Sequence, residues 1–395
     1  MLDDPAGGFR RAGRLTGLDL SEIVRISERA ALLRAEGRDV VTLSTGEPDF
    51  PTPDFVIDAA LAAARGGQTR YPPTAGNADL RAAIAEDHGR QLAEVMVSTG
   101  AKQVLANALL ATLDPGDEVI MPTPFWTSYA DMVRIAGGTD VQVACPMEDG
   151  FKLSPAALEA AITPRTRWLM LNSPSNPSGA VYSASEIAAL AEVLDRHPQV
   201  WIISDEIYAH LSYVRFASFT AVAPQLAHRT LIVNGVSKAW AMTGWRIGWG
   251  VGPAPLIKAM TAVQGQSTSG ACTVAQAAAL AALTGDRALL DDRRAAFRAR
   301  RDRVVAALDA MPGLSCLEPD GAFYVFPSCA ALLGDGRSDG DFCAALLEQA
   351  GVAVVPGRAF GLPGHFRLSF AYSEAELDEG LARIGAAIET EQAGG

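Results

Sequence analysis

From Val40 onward the chain alternates short β-branched or apolar runs with Ala/Leu-rich stretches long enough for helices. That is the rhythm of βα units building a mostly parallel sheet, whose strands, buried on both faces, read as apolar throughout. The pattern predicts strands at residues 40–43, 95–98, 118–121, 168–172, 200–204, 231–234 and 246–251. Helices are predicted between them at 53–64, 78–91, 103–113, 185–196 and 274–283. After Gly285 the rhythm changes: a long charged amphipathic stretch runs to Met311 and leads into strands around 322–326, 352–355 and 366–370, the mark of a second, smaller α+β domain. The segment 15–37 has helical periodicity but precedes the first strand, and is expected to pack on that later domain.

Composition narrows the class. With 395 residues, 49% hydrophobic and 20% charged, the chain is globular and longer than one core usually serves, so about two domains are expected. The balance of 33 Lys plus Arg against 45 Asp plus Glu gives −12, which argues against a nucleic-acid or anionic-membrane partner. Positive charge gathers only between Arg293 and Arg303, which also holds Asp302 and follows Asp291 and Asp292, so it reads as a solvated helix face. The five cysteines, Cys145, Cys272, Cys316, Cys329 and Cys343, lack CxxC spacing or a clustered histidine; neither a disulfide framework nor a metal site is expected. Met1 to Pro5 opens acidic, without the apolar core of a signal peptide, and no apolar run reaches the roughly 18 residues of a membrane span. The default setting is therefore reducing and cytoplasmic.

In open parallel sheets ligands bind at the carboxyl ends of the strands, so polar residues that directly follow apolar runs are the candidates for chemistry. Four places qualify: Thr99-Gly100-Ala101-Lys102, Asn176, Asp205 and Lys238. Taken singly each has a plainer reading, as a helix start, a turn before Pro177, a helix cap or a surface lysine. Jointly, with Arg246 following Lys238, they fit the chemistry of pyridoxal phosphate. A lysine amine of lowered pKa forms a Schiff base with the aldehyde and then shuttles protons. A carboxylate keeps the pyridine nitrogen protonated, so that the ring takes up electrons from the substrate α-carbon. Helix-start amides and a guanidinium hold the phosphate.

On these residues the sequence resembles the class I and II aminotransferases of pyridoxal-phosphate fold type I, and most closely the bacterial aspartate and prephenate aminotransferase branch. The resemblance spans nearly the whole chain. It runs from Gly46-Glu47-Pro48-Asp49-Phe50 and Tyr71-Pro72-Pro73-Thr74-Ala75-Gly76 through Pro122-Thr123-Pro124-Phe125-Trp126, Asn176-Pro177-Ser178-Gly179, Ser204-Asp205-Glu206-Ile207-Tyr208, Ser237-Lys238 and Gly244-Trp245-Arg246-Ile247-Gly248. It continues to Gly321-Ala322-Phe323-Tyr324, Val354-Val355-Pro356-Gly357 and Phe366-Arg367-Leu368-Ser369. The resemblance implies an α/β fold: a large domain on a mostly parallel seven-stranded sheet sandwiched by helices, plus a smaller α+β domain. The expected organisation is a large cofactor-binding domain at 46–285, a small domain at 14–45 and 286–395, and an N-terminal arm at 1–13.

Carried over residue by residue, the resemblance implies that Lys238 is the Schiff-base lysine and Asp205 the pyridinium partner. Asn176 and Tyr208 would hydrogen-bond the cofactor's phenolic oxygen, and Trp126 would stack on its ring. Ser237, Arg246 and the amides of Gly100, Ala101 and Lys102 would hold the phosphate, with Tyr71 reaching the phosphate of a neighbouring subunit in a two-fold homodimer of shared active sites. Arg367 would grip the substrate α-carboxylate as a bidentate fork, helped by the Gly46 backbone and Asn176. On its own, an arginine between Phe366 and Leu368 reads as solvent-facing. Two positions depart from the pattern. Gly235 stands where many members place a phosphate-binding Ser or Thr, and Ile23 stands where the acidic-substrate branch often carries a small hydroxyl residue.

The expected activity is a transferase that moves an amino group from an amino acid, L-aspartate by the match of Lys102 to a distal-carboxylate lysine, to a 2-oxo acid such as 2-oxoglutarate, by a ping-pong mechanism. The alternatives are aromatic or neutral amino acids or prephenate as substrates, or a C–S β-lyase of the same fold. A further alternative, an aminotransferase-like effector domain of a transcription regulator, lacks any DNA-binding extension in this sequence.

Overall fold

The computed structural model describes residues 12–18 and 20–394. Of the arm expected over 1–13, residues 1–11 lie outside the described residues. The central sheet has seven strands in the order Val95–Thr99, Ile247–Val251, Thr230–Gly235, Trp201–Asp205, Thr166–Asn172, Glu118–Thr123 and Thr139–Ala144. Ile247–Val251 runs antiparallel to both its neighbours, and every other pairing is parallel.

Two strand expectations are corrected. The run at 40–43 is not part of this sheet: Val41–Thr42 pairs in parallel with Val352–Ala353 in a separate two-stranded sheet. The seventh central strand is Thr139–Ala144, which the apolar-run criterion misses. It lies at the sheet edge and mixes exposed with half-buried residues, so it carries no continuous apolar run. The run at 352–355 also divides. Its first half joins Val41–Thr42, while Val355–Pro356 pairs with Phe366–Ser369, which pairs in turn with Tyr324–Val325.

Successive residues of the inner strands go to opposite faces, as a period of two requires. Met121, Trp168, Met170, Ile203 and Leu231 pack with Val104 and Leu105 of helix Ala101–Thr112 and with Ile257 and Met260 of helix Ala254–Ser267, which is not among the helices the sequence pattern predicts. Ile120, Leu169 and Ile202 pack on the other side with Leu190 and Leu194 of helix Ala184–Asp195, whose Ser183–Glu186 capping box fixes its start. The last third of the chain has its own core, in which Val304 and Leu308 of helix Ala288–Asp309 and Leu377 and Ile384 of helix Glu374–Gly394 meet Tyr324, Phe366 and Leu368. Helix Glu22–Ala35 sets Ala30 and Leu33 against Leu347 and Ala353, so it packs on that later unit.

The basic stretch is only in part the solvated helix face expected, since Arg301 is buried. Arg300 forks onto Asp49 at 2.8 and 2.9 Å, Arg293 donates to the Pro51 carbonyl at 2.7 Å, and Arg301 pairs with Asp302 and Glu318. Arg293 and Arg300 thereby pin the strap that follows Gly46. All five cysteines are free thiols, and no helix among the described residues is long and apolar enough to cross a membrane.

Candidate active site

The apolar strands end in polar residues at one rim of the sheet. Asn172 and Asp205 close adjacent strands in register with each other, and Asp205 is in turn paired with Val233, so the next strand delivers Gly235, Ser237 and Lys238 to the same rim. Asn172 ties its neighbours together: its Oδ1 accepts from the Asn176 amide at 2.8 Å, and its Nδ2 donates to the Asp205 carbonyl at 3.0 Å.

Gly100 opens helix Ala101–Thr112 with a φ of 82°, a left-handed conformation that glycine adopts without strain. A Cβ there would meet Arg246 Nη2 at 2.6 Å, and one at Gly248 would meet the Ala101 nitrogen at 2.2 Å. The two glycines thus let the Arg246 guanidinium lie against the start of a helix, whose first amides have no helical acceptor four residues back. Amides, dipole and guanidinium together form an anion cradle. At Gly235 a Cβ would meet the Ile247 carbonyl oxygen at 2.9 Å and Gly248 Cα at 3.0 Å, so the backbone leaves no room for a hydroxyl side chain.

The Lys238 amine donates to the Gly46 carbonyl at 2.7 Å. Its removal from water pushes its pKa down to about 8, and the Arg367 and Arg246 charges act in the same direction, against Glu47 and Asp205. Asp205 is 4% exposed, and burial pushes its carboxyl up to about 6 even though Tyr129 and the Ile207 amide donate to it, at 2.6 and 3.2 Å. Trp126 meets Tyr129 edge-on, and the Lys102 ammonium sits 4.7 Å from the centre of the Trp126 ring. Burial, and then Arg246, lower the Lys102 pKa.

Arg367 does not face solvent; it is 1% exposed. Its Nη1 donates to Asn176 Oδ1 at 2.9 Å, its Nη2 donates to the Ser44 carbonyl, and its plane lies over the rings of Tyr324 and Phe360 at 4.6 and 5.0 Å. Its Nε is buried without a partner among the described residues. Burying a guanidinium with an unmet donor is costly unless an anion completes the set.

These groups surround one cavity of about 290 Å³. Gly46, Ala101, Lys102, Trp126, Asn176, Asp205, Tyr208, Ser237, Lys238, Arg246 and Arg367 all line it, as does Ile23. Gly100 stands behind Arg246, and Tyr71 lies elsewhere, 93% exposed, in a groove with Gln68–Pro72 and residues 268–274. Four lining residues are given no role by either the strand ends or the resemblance: Tyr129, Asn172, Ile207 and Tyr324. Ile207 and Tyr324 stand inside the segments that carry the resemblance and Asn172 ends the predicted strand 168–172, whereas Tyr129 has only its place three residues after Trp126 to mark it. The cavity fits pyridoxal phosphate by its donor set: an anion cradle, a flat indole, a buried carboxylate, and an amine of lowered pKa.

Residues 38–384 match the family described as aminotransferase class I and II. An aspartate aminotransferase of Rhizobium meliloti is 52% identical, over 97% of each chain. An aspartate/prephenate aminotransferase of Cereibacter sphaeroides is also 52% identical, over 93% of this chain and 95% of its own. The crystal structure of an aspartate aminotransferase from Rhizobium meliloti superposes with a TM-score of 0.94 at 52% identity, covering 97% of this chain and 99% of that one.

Proposed function

The chain belongs to the class I and II aminotransferases, pyridoxal-phosphate enzymes of fold type I, and from that premise we propose that it moves an amino group from L-aspartate to a 2-oxo acid such as 2-oxoglutarate, in two half-reactions at one site. The observation that carries the substrate reading is the pair of cationic side chains, Arg367 and Lys102, on the wall of the cavity that holds Lys238. A dicarboxylate needs two such groups. The names of the two relatives support the same donor.

When bound, pyridoxal phosphate supplies an aldehyde that condenses with amines and a ring that takes up the electrons released at the substrate α-carbon. The residues of the chain do the rest. Arg246 and the first amides of helix Ala101–Thr112 hold the phosphate, and Trp126 fixes the ring plane. Asp205 keeps the proton on the ring nitrogen; the positive charge there opposes the burial that raises the Asp205 pKa in the protein alone. Lys238, whose pKa near 8 leaves a fraction of its amine neutral at physiological pH, takes the proton from the substrate α-carbon and returns it on the far side of the transfer. Asn176 and Tyr208 hydrogen-bond the phenolic oxygen, and Arg367 grips the α-carboxylate. Tyr71, exposed in a groove away from the cavity, serves the site of a second copy in a homodimer. The setting is the cytoplasm.

Prephenate as an additional acceptor is a second reading, favoured by the apolar Ile23 on the cavity wall and by the name of the Cereibacter sphaeroides relative. A panel of amino donors against 2-oxoglutarate, oxaloacetate, pyruvate and prephenate tests both. Aspartate should give the highest kcat/KM with 2-oxoglutarate. Keto product released without any acceptor would instead identify a β-lyase.

A further inference from the structure

Tyr324 has no part in the mechanism above, yet it is fully buried on the cavity wall and touches two groups that do, together with the glycine whose carbonyl holds the Lys238 amine. Its hydroxyl lies 2.9 Å from the Tyr208 hydroxyl, its ring lies beneath the Arg367 guanidinium at 4.6 Å, and Gly46 packs so closely on it that a Cβ there would meet Tyr324 Oη at 2.3 Å. Tyr324 comes from the strand paired with the Arg367 strand, whereas Tyr208 follows the strand that ends in Asp205. The hydroxyl pair therefore links the segment after the Asp205 strand to the strand beside Arg367, within one shared core.

We propose that Tyr324 is a positioning residue for the reaction: its hydroxyl donates to Tyr208, directing the Tyr208 proton at the cofactor's phenolic oxygen, while its ring supports Arg367. This rests on the reading of the cavity as a pyridoxal-phosphate site. A phenol has one proton and two lone pairs. With an acceptor oxygen in front of Tyr208 the Tyr208 proton goes there, and a Tyr208 lone pair takes the Tyr324 proton. Hydrogen bonds in such a chain polarise one another, so Tyr208 becomes the stronger donor. A stronger donor draws negative charge from the phenolic oxygen, and the nitrogen joining the cofactor to Lys238 then loses its proton at lower pH.

The other groups facing the pair are otherwise engaged. Arg367 covers the ring face of Tyr324 rather than its hydroxyl, Tyr372 accepts from the Thr45 amide at 3.2 Å, and Asp205 is held by Tyr129 and the Ile207 amide. The Lys238 amine is 6.0 Å from the centre of the Tyr208 ring and bonded to Gly46; Arg246 and Glu47 bear on that amine, and Glu47 accepts from Thr243.

The test is a pH titration of the visible absorbance of the protein loaded with pyridoxal phosphate, in the wild type, Tyr324→Phe, Tyr208→Phe and the double variant. Tyr324→Phe keeps the ring under Arg367. The titration midpoint should rise by about half a pH unit, with KM for aspartate changed by less than about two-fold. In the double variant the midpoint should equal that of Tyr208→Phe alone, since Tyr324 acts on the oxygen only through Tyr208. Tyr324→Leu, which removes the ring as well, should in addition raise KM for aspartate by about ten-fold. A Tyr324→Phe midpoint equal to the wild type, or shifts that add in the double variant, would overturn the relay. A wild-type protein that takes up no pyridoxal phosphate with a pH-dependent band would overturn the reading of the cavity instead.

Discussion

Tyr129 Oη donates to Asp205 Oδ2 at 2.6 Å, and both groups are buried. The bond holds in place a carboxylate that burial otherwise drives toward its neutral form, and a neutral carboxyl cannot fix a positive charge on a ring nitrogen. Hydrogen bonds to charged groups contribute about 1.5–3 kcal/mol. Tyr129→Phe should therefore push the Asp205 pKa above about 6 and weaken pyridoxal phosphate binding by about ten-fold or more. Fluorescence titration of the cofactor-free protein measures this, and an unchanged affinity would contradict the role.

Lys238 carries a pH signature of its own. Burial lowers its pKa from 10.5 to about 8, so without cofactor the unfolded chain binds more protons than the folded one between those values, and stability rises with pH across that window. The cofactor-free Lys238→Met variant should melt above the cofactor-free wild type at pH 7, and the gap should narrow as pH approaches 10. A gap independent of pH would mean that the amine is not withdrawn from water.

Glu206, next in sequence to Asp205, points away from the cavity. Its Oε1 accepts from Ser204 Oγ and Ser218 Oγ at 2.9 Å and from the Phe219 amide at 3.2 Å, and burial raises its pKa from 4.5 to about 7. A raised acid stabilises the fold below its unfolded pKa and loses that contribution as pH climbs through the folded one. Glu206→Gln keeps the accepting oxygen without the charge. It should melt above the wild type at pH 8, converge with it toward pH 5, and bind cofactor normally; melting curves at the two pH values decide the point.

Lys102 bears on substrate choice. Its side chain lines the cavity beside Trp126, while its amide belongs to the helix start, so a side-chain change leaves the anion cradle in place. Lys102→Ser should raise KM for aspartate by about ten-fold or more and leave KM for an aromatic donor nearly unchanged. Steady-state kinetics with both donors would show it, and an unaltered aspartate KM would remove the distal-carboxylate role.

The sequence pattern reveals the buried strands because burial on both faces writes a continuous apolar run, as in Trp201–Asp205 and Thr230–Gly235. It conceals Thr139–Ala144, which has one neighbour and an exposed face, and it cannot tell which sheet Val41–Thr42 joins, since pairing partners far apart in sequence leave no local trace. The same limit applies at the site. Asp205 and Lys238 are marked by the runs before them, and Arg367 only by resemblance, its burial being set by Asn176, Ser44 and Tyr324 from three other parts of the chain. Tyr129 is legible only once the helix Ser128–Ile135 sets its ring edge-on to Trp126.

Every role proposed for the cavity depends on Lys238 being the amine that binds the cofactor. The chain has only four lysines, Lys102, Lys152, Lys238 and Lys258, so the claim is open to direct mass measurement. The protein loaded with pyridoxal phosphate is reduced with borohydride, digested, and its peptides are weighed. One cofactor per chain is expected, on the peptide that contains Lys238. Label on Lys102, Lys152 or Lys258 instead, or no label at all, would contradict it.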